Sequence, residues 1–263
     1  MTPCVPNGNA PKAIYVPDSK HQCWKPSNPQ RYAEFFDDVA KIQPMFTEEL
    51  MVAANARQFS KRGTVQPMPE TAGFKKAFLK RIVQCLKRHR DLFFKERDDA
   101  VISIIITTLA ARAYGRLAIP PNVYPNRLDF LVKVVEDMKN HIRIVESFNG
   151  PQYYVDNPAI NDENFAEKWN VDSKLAEAFR EWHSSVTHRL KELQNASTRS
   201  LGSHILSRRI GEIHGPSVSQ IAANKIAERT SQQHRNGLIT ITSGLGIGQG
   251  AVSVPPTKYY GND

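Results

Sequence analysis

Lys76, Lys80, Lys87 and Arg90 follow one another at spacings of four, seven and three. On an α-helix this gathers four cations within about 40° of one direction. Arg81 and Arg88 sit beside the row, and the acid closest to it is Asp91. Stacked cations repel one another, so such a face is favoured where a polyphosphate neutralises it. The same row also fits a lysine-rich surface whose acids come from other segments. Ser103 opens the next apolar stretch. There its hydroxyl and backbone N–H can serve a phosphate, or it is simply a tolerated small residue. His89 falls on the apolar side of the basic segment, near Ile82, Leu86 and Phe93, and reads as a hydrogen-bonded core histidine.

Other chemistries find less support. G-L-G-I-G-Q-G, Gly244 to Gly250, lacks the Gly-Lys-Ser/Thr ending of a phosphate loop and leads into A-V-S-V-P-P, a poor helix start. The acid pairs Asp37-Asp38, Glu48-Glu49 and Asp98-Asp99 lie on helices or loops with no preceding Gly-Ser turn. Two-metal phosphoryl transfer needs clustered carboxylates on a strand, so these pairs read as surface acids. Cys4, Cys23 and Cys85 form no C-x-x-C pair, which encodes neither a disulfide framework nor a zinc ribbon. No Ser/His/Asp or Cys/His nucleophile set has supporting context.

The elements that must position these residues divide by composition. Nine of the 17 prolines precede residue 70. T-P-C-V-P-N and K-A-I-Y-V-P read as two short strands around Gly8-Asn9, at a sheet edge or at strand ends. Asn28-Pro29 starts a helix whose apolar face is Tyr32, Phe35, Phe36 and Val39. From Gly73 onward the chain is mainly helical. One long helix is expected from Phe74 to Phe94, with Phe78, Leu79, Ile82, Leu86 and Phe93 inward. A second passes through V-I-S-I-I-I-T-T-L-A-A-R-A-Y and stops at Gly115. Leu128, Leu131, Val135, Met138, Ile142 and Val145 predict a third. Q-Y-Y-V, after Asn149-Gly150-Pro151, reads as a short strand. A fourth helix turns Leu175, Phe179, Trp182, Val186, Leu190 and Leu193 inward, and a last one opens at Pro216 and ends at Asn236-Gly237. Gly244 to Asp263 reads as a flexible tail.

With 263 residues, 40% hydrophobic and 23% charged, the chain is a soluble globular protein in composition. Its net charge of +9 suits a polyanionic partner. The most apolar run, Ala100 to Ala111, spans 12 residues, well short of the roughly 20 that a membrane span requires. Met1 to Val16 lacks the basic start and apolar block of a secretory signal, and the expected location is the cytoplasm.

Several segments resemble the bacterial cGAS/DncV-like nucleotidyltransferases (CD-NTases), relatives of the oligoadenylate synthases. They are M-T-P-C-V-P-N at the start; V-P-D-S-K-H-Q-C-W-K-P-S-N-P, Val16 to Pro29, similar to a loop that precedes a helix; L-K-R-I-V-Q-C-L-K-R-H-R-D, Leu79 to Asp91, with I-S-I-I-I-T-T-L-A, Ile102 to Ala110; N-P-A-I-N-D-E-N-F-A-E-K-W, Asn157 to Trp169; and the closing T-K-Y-Y-G. The resemblance covers nearly the whole chain, in order. It implies an α+β fold: a remnant of the nucleotidyltransferase mixed sheet over 1–72, a helical domain of the oligoadenylate-synthase type over 73–243, and the tail over 244–263.

The resemblance also implies roles. Lys87 matches the family's spine-helix lysine that grips the nucleotide triphosphate, and Ser103 the serine that contacts the same phosphates, with Lys76, Lys80 and Arg90 near them. The position after that serine is often aromatic in relatives and stacks a base; here it is Ile104. The family's Gly-Ser turn and Asp-x-Asp pair have no counterpart in this sequence, and its third metal-binding aspartate would immediately precede Met1. A mis-called start, a truncation or a split gene would each produce this beginning. The implied cofactor, Mg2+ or Mn2+, is therefore expected to need carboxylates upstream of the chain, and the chain alone is expected not to catalyse. The parent activity would be synthesis of cyclic di- or trinucleotides in anti-phage (CBASS) defence. The implied partners are NTPs, ATP among them, a missing N-terminal half and CBASS accessory proteins; a membrane is not expected. Two other readings stay open: a non-catalytic nucleotide-binding or regulatory fragment, and a basic nucleic-acid-binding helical module.

Overall fold

The computed structural model describes residues 4–7, 13–18, 23–51, 77–148, 150–161, 163–198, 203–235, 238–240 and 251–253. Its N-terminal part is a three-stranded antiparallel sheet in the order β1-β2-β3: β1 is Val5–Pro6, β2 Ile14–Asp18 and β3 Cys23–Ser27. The first two strands are those expected from the sequence. The third corrects the expectation of a loop from Val16 to Pro29, since Val16 pairs with Lys25 and Pro17 with Trp24. β1 reaches only Ile14 and Tyr15. Pro17 therefore lies where one edge of β2 has no neighbouring strand among the described residues, a place that tolerates a missing N–H.

Asn28 caps α1 (Pro29–Lys41), its side-chain oxygen accepting from the Arg31 N–H at 3.0 Å, with Pro29 in the first turn. α1 turns Phe35, Phe36, Val39 and the buried Ala40 toward the helical core. β4 (Met45–Phe46) pairs in parallel with the distant β5 (Val123–Tyr124). Phe46 is buried edge-on against Phe78 and Phe130, with ring centroids 6.0 and 6.1 Å away.

The core is helical: α2 (Phe78–Phe93), α3 (Ser103–Leu117), α4 (Arg127–Met138), α5 (Ser173–Thr198), α6 (Ser203–His214) and α7 (Pro216–Arg235). α3 is nearly surrounded. Ile105, Ile106, Leu109, Ala110, Ala111, Ala113 and Tyr114 are all fully buried, which explains why its sequence is apolar on almost every side. α5 buries Phe179, Trp182, Val186 and Leu190 as its periodicity predicts, with Leu175 and Leu193 partly covered.

Four boundaries differ from expectation. α2 begins at Phe78 because Ala77 is extended, with φ −48° and ψ 144°; Phe74 lies outside the described residues. α3 runs through Gly115 to Leu117, and a Cβ at Gly115 would only make ordinary contact with Val39 at 3.5 Å. Tertiary packing there outweighs glycine's weak helix propensity. α4 ends at Met138, followed by a 3-10 turn (Lys139–His141) and a hairpin of β6 (Arg143–Ser147) with β7 (Gly150–Tyr154). The apolar spacing through Ile142 and Val145 thus crosses a helix end. The buried Asp137 accepts from Asn140 and His141, each at 2.9 Å, and so holds the chain in the tight turn. Finally, Ala251–Ser253, expected within a flexible tail, form a strand (β9) antiparallel to β8 (Leu238–Thr240); Asn236 and Gly237 lie outside the described residues. α6, unforeseen, turns at Gly215 (φ 93°) into α7. Among the described residues no helix is long and apolar enough to cross a membrane.

Candidate phosphate-binding site

Val83, Leu79 and Leu86 are buried on α2. Lys87 lies four residues past Val83, and Arg90 four past Leu86, so each sits one turn along from a core residue. Lys80, Lys87 and Arg90 therefore lie along the seam between α2 and its neighbours.

Each member of the row meets a different fate. Lys80 pairs with Asp37 of α1 at 2.8 Å, both side chains about half exposed at 45% and 53%. The Arg90 side chain is 22% exposed. Its Nη1 donates to the Ser103 hydroxyl oxygen at 2.5 Å and to the Val101 carbonyl at 3.3 Å. Its Nε donates to Asp91 at 2.9 Å, and Nη2 donates to the same carboxylate oxygen. Lys87 is half-buried and, among the described residues, has no ion pair or hydrogen bond from its ammonium group. Lys76 lies outside the described residues. Arg88 turns the other way, its Nε donating to the His214 carbonyl at 3.2 Å.

Ser103 is the first residue of α3, half-buried, and no side chain caps that terminus. Its carbonyl accepts from the Thr107 hydroxyl at 2.8 Å. Ile104, beside it, packs against the core as an aliphatic surface. Arg90 and Ser103 are thus in direct contact, with Lys87 one turn before Arg90. A hydroxyl and an unneutralised ammonium are each able to hold an anionic oxygen. The contact between Arg90 and Ser103 has no signal in the sequence, because it depends on the path of residues 94–102.

His89 is a core residue, as its helical position suggests, but among the described residues no hydrogen bond satisfies its Nδ1. Burial, reinforced by the positive charges of Arg189 and His214, pushes its pKa down to about 4. Its ring stacks near Phe93 and lies 6.4 Å from Trp182. Burial likewise pushes the Cys85 thiol up to about 12, with its Sγ 3.5 Å from His214 Nε2; a protonated thiol of this kind is no nucleophile.

The acids are engaged elsewhere: Asp37 by Lys80, Asp38 by Lys41, Glu49 by Arg127, Asp99 by Arg97. Among the described residues no group of three or more His, Cys, Asp or Glu could hold a metal ion, so this donor set does not fit Mg2+ or Mn2+. The Gly244 to Gly250 run lies outside the described residues. An open groove between α6 and α7, lined by Ser207, Gly211, Glu212, Pro216 and Ser219 among others, includes none of the candidate phosphate residues.

In its short N-terminal strands, spine helix and mainly helical remainder, this chain resembles part of the fold of a bacterial CD-NTase. The solved structure of the Bradyrhizobium diazoefficiens CD-NTase CdnG in complex with GTP superposes with a TM-score of 0.53 at 16% identity, over 86% of this chain and 63% of that one. Among curated proteins, the c-di-GMP synthase of Roseivirga ehrenbergii is 24% identical over 254 residues, 95% of this chain and 61% of the synthase. The chain therefore spans about three fifths of the length of the curated relative it matches. No protein-family model matches the sequence.

Proposed function

We propose that this chain holds the triphosphate of an NTP, ATP among them, between Lys87 and Ser103. It does so as the C-terminal portion of a Mg2+- or Mn2+-dependent nucleotidyltransferase that makes cyclic di- or trinucleotides. Residues 73–243 form the helical domain that carries the phosphate site, and 1–72 belong to the catalytic core. The observation that carries the reading is Lys87: half-buried at a helix seam with no acidic partner among the described residues, while Lys80 beside it is neutralised by Asp37. An ammonium with no counter-charge among the described residues can take an anion as its partner. The c-di-GMP synthase relative and the GTP-bound fold neighbour support a nucleotide as that anion. By its spacing Lys76 falls on the same edge, where Lys80 and Arg90 are already paired with Asp37 and Asp91. The metal-holding carboxylates belong to residues outside this chain, and the biological setting is cytoplasmic anti-phage (CBASS) defence with its accessory proteins.

The test is calorimetric titration with ATP. Lys87→Ala should weaken binding about tenfold, the loss of one charge-assisted contact, while the melting temperature stays nearly unchanged. An unchanged affinity would sink the reading. Incubated with NTPs and Mg2+, the chain alone should form no product. A second reading, nucleotide binding without catalysis in any assembly, is favoured by the lack of a metal donor set among the described residues. Product formation on co-expression with a segment bearing the Gly-Ser and Asp-x-Asp motifs would exclude it.

A further inference from the structure

We infer that Arg90 is a positioning residue: fixed by Asp91, it orients the Ser103 hydroxyl toward the phosphate and does not grip the phosphate itself. This rests on the phosphate reading of Lys87 and Ser103. A guanidinium has five N–H donors. Four of Arg90's are engaged: Nε and Nη2 on the Asp91 carboxylate, and Nη1 on Ser103 Oγ and the Val101 carbonyl. Asp91 also balances its charge, and the side chain is only 22% exposed. Little of Arg90 is left to offer an incoming anion.

The effect on Ser103 follows from hydroxyl chemistry. A serine oxygen has one proton to donate and two lone pairs to accept with. Arg90 occupies one lone pair, so the O–H bond must point away from the guanidinium. Among the described residues that O–H finds no acceptor. A hydroxyl whose acceptor side is filled and whose proton is unspent is set up as a donor, and an N–H from a cationic group polarises it further. A phosphate oxygen is the acceptor that the neighbouring Lys87 would bring. The chain Asp91, Arg90, Ser103 is thus a fixed relay that sets the direction of one hydrogen bond, with Lys87 supplying the charge.

A double-mutant cycle on the full chain, read by ATP titration, tests this. Arg90→Gln and Ser103→Ala should each weaken ATP binding about fivefold. The double variant should be no weaker than Ser103→Ala alone. Ser103→Thr, which keeps a hydroxyl, should restore the sensitivity to Arg90→Gln. If the two single effects multiply in the double variant, Arg90 touches the phosphate directly and the inference falls. If Arg90→Gln does not fold, Asp91→Ala serves: its smaller loss must vanish in the Ser103→Ala background, and a loss that persists there overturns the relay. The parent reading fails separately, through an unchanged affinity in Lys87→Ala or a wild-type chain that does not retain ATP. An intact Lys87 effect with an additive cycle rejects the relay alone.

Discussion

Where α2 meets α1 and α3, Lys80, Lys87 and Arg90 stay at the rim of the core with their charges answered by Asp37, by Asp91, or by no described residue. Where the same helix meets α5 and α6, Cys85 and His89 pass into the core beside Trp182 and His214, and burial keeps the thiol protonated and the imidazole neutral. The two sides differ both in residue type and in how far the neighbouring helices cover them. One turn of helix separates a lysine with no counter-charge among the described residues from an imidazole whose ionisation is suppressed. A basic sequence segment therefore says little about charge until the neighbouring helices are known.

That contrast can be broken at several points. Leu86→Ala, at a fully buried position, should cost about 2–5 kcal/mol in urea unfolding. A cost below roughly 1 kcal/mol would mean that the α2 core side is loosely packed. His89 is the next largest. Its folded pKa of about 4 lies below the ordinary 6.5, so the unfolded chain binds a proton first. Stability is then complete above pH 6.5 and is lost as pH falls toward 4, by up to roughly 3 kcal/mol for this group. His183 and His214, also held low by burial, act in the same direction. His89→Leu should flatten the stability–pH curve over that window, as measured by urea midpoints at several pH values; an unaltered slope would show that His89 is solvated. The smallest effect belongs to the rim. Lys80→Ala should change stability by less than about 1 kcal/mol, because its pair with Asp37 is exposed, and should shift ATP affinity less than Lys87→Ala does. A loss equal to that of Lys87 would mean that Asp37 gives way to the ligand.

What was legible in the sequence is what local chemistry decides. Asn28-Pro29 announces α1 through a cap and a pre-set φ, and Pro216 announces α7. The inward faces of α2 and α5 follow from helical period. The failures lie where non-local packing overrides a pattern. Ile142 and Val145 continue the spacing of α4, yet the turn held by Asp137 ends the helix, leaving Ile142 just before the hairpin and Val145 within it. Gly115 looks like a stop, but α3 continues past it to Leu117, packed among its neighbours. Ser103 and Arg90 could each be singled out by residue type; that one hydrogen-bonds the other could not, since they stand thirteen positions apart (103 − 90) with a helix end between them. Lys80's partner on α1 was equally hidden, because Asp37 reads as an ordinary surface acid.

The pairing of β4 with β5 bears on the order in which the chain can assemble. Met45 and Val123 stand opposite each other across 78 positions (123 − 45), and closing so long a span costs entropy that two residues per strand cannot offset. Phe46 must already find Phe78 and Phe130 before the two backbones can meet. The α6–α7 hairpin, by contrast, turns at a single glycine and needs only near neighbours. Folding should therefore begin from such short-range helical pairs and finish at this small parallel pair, a clasp that fastens once the interior has condensed around it.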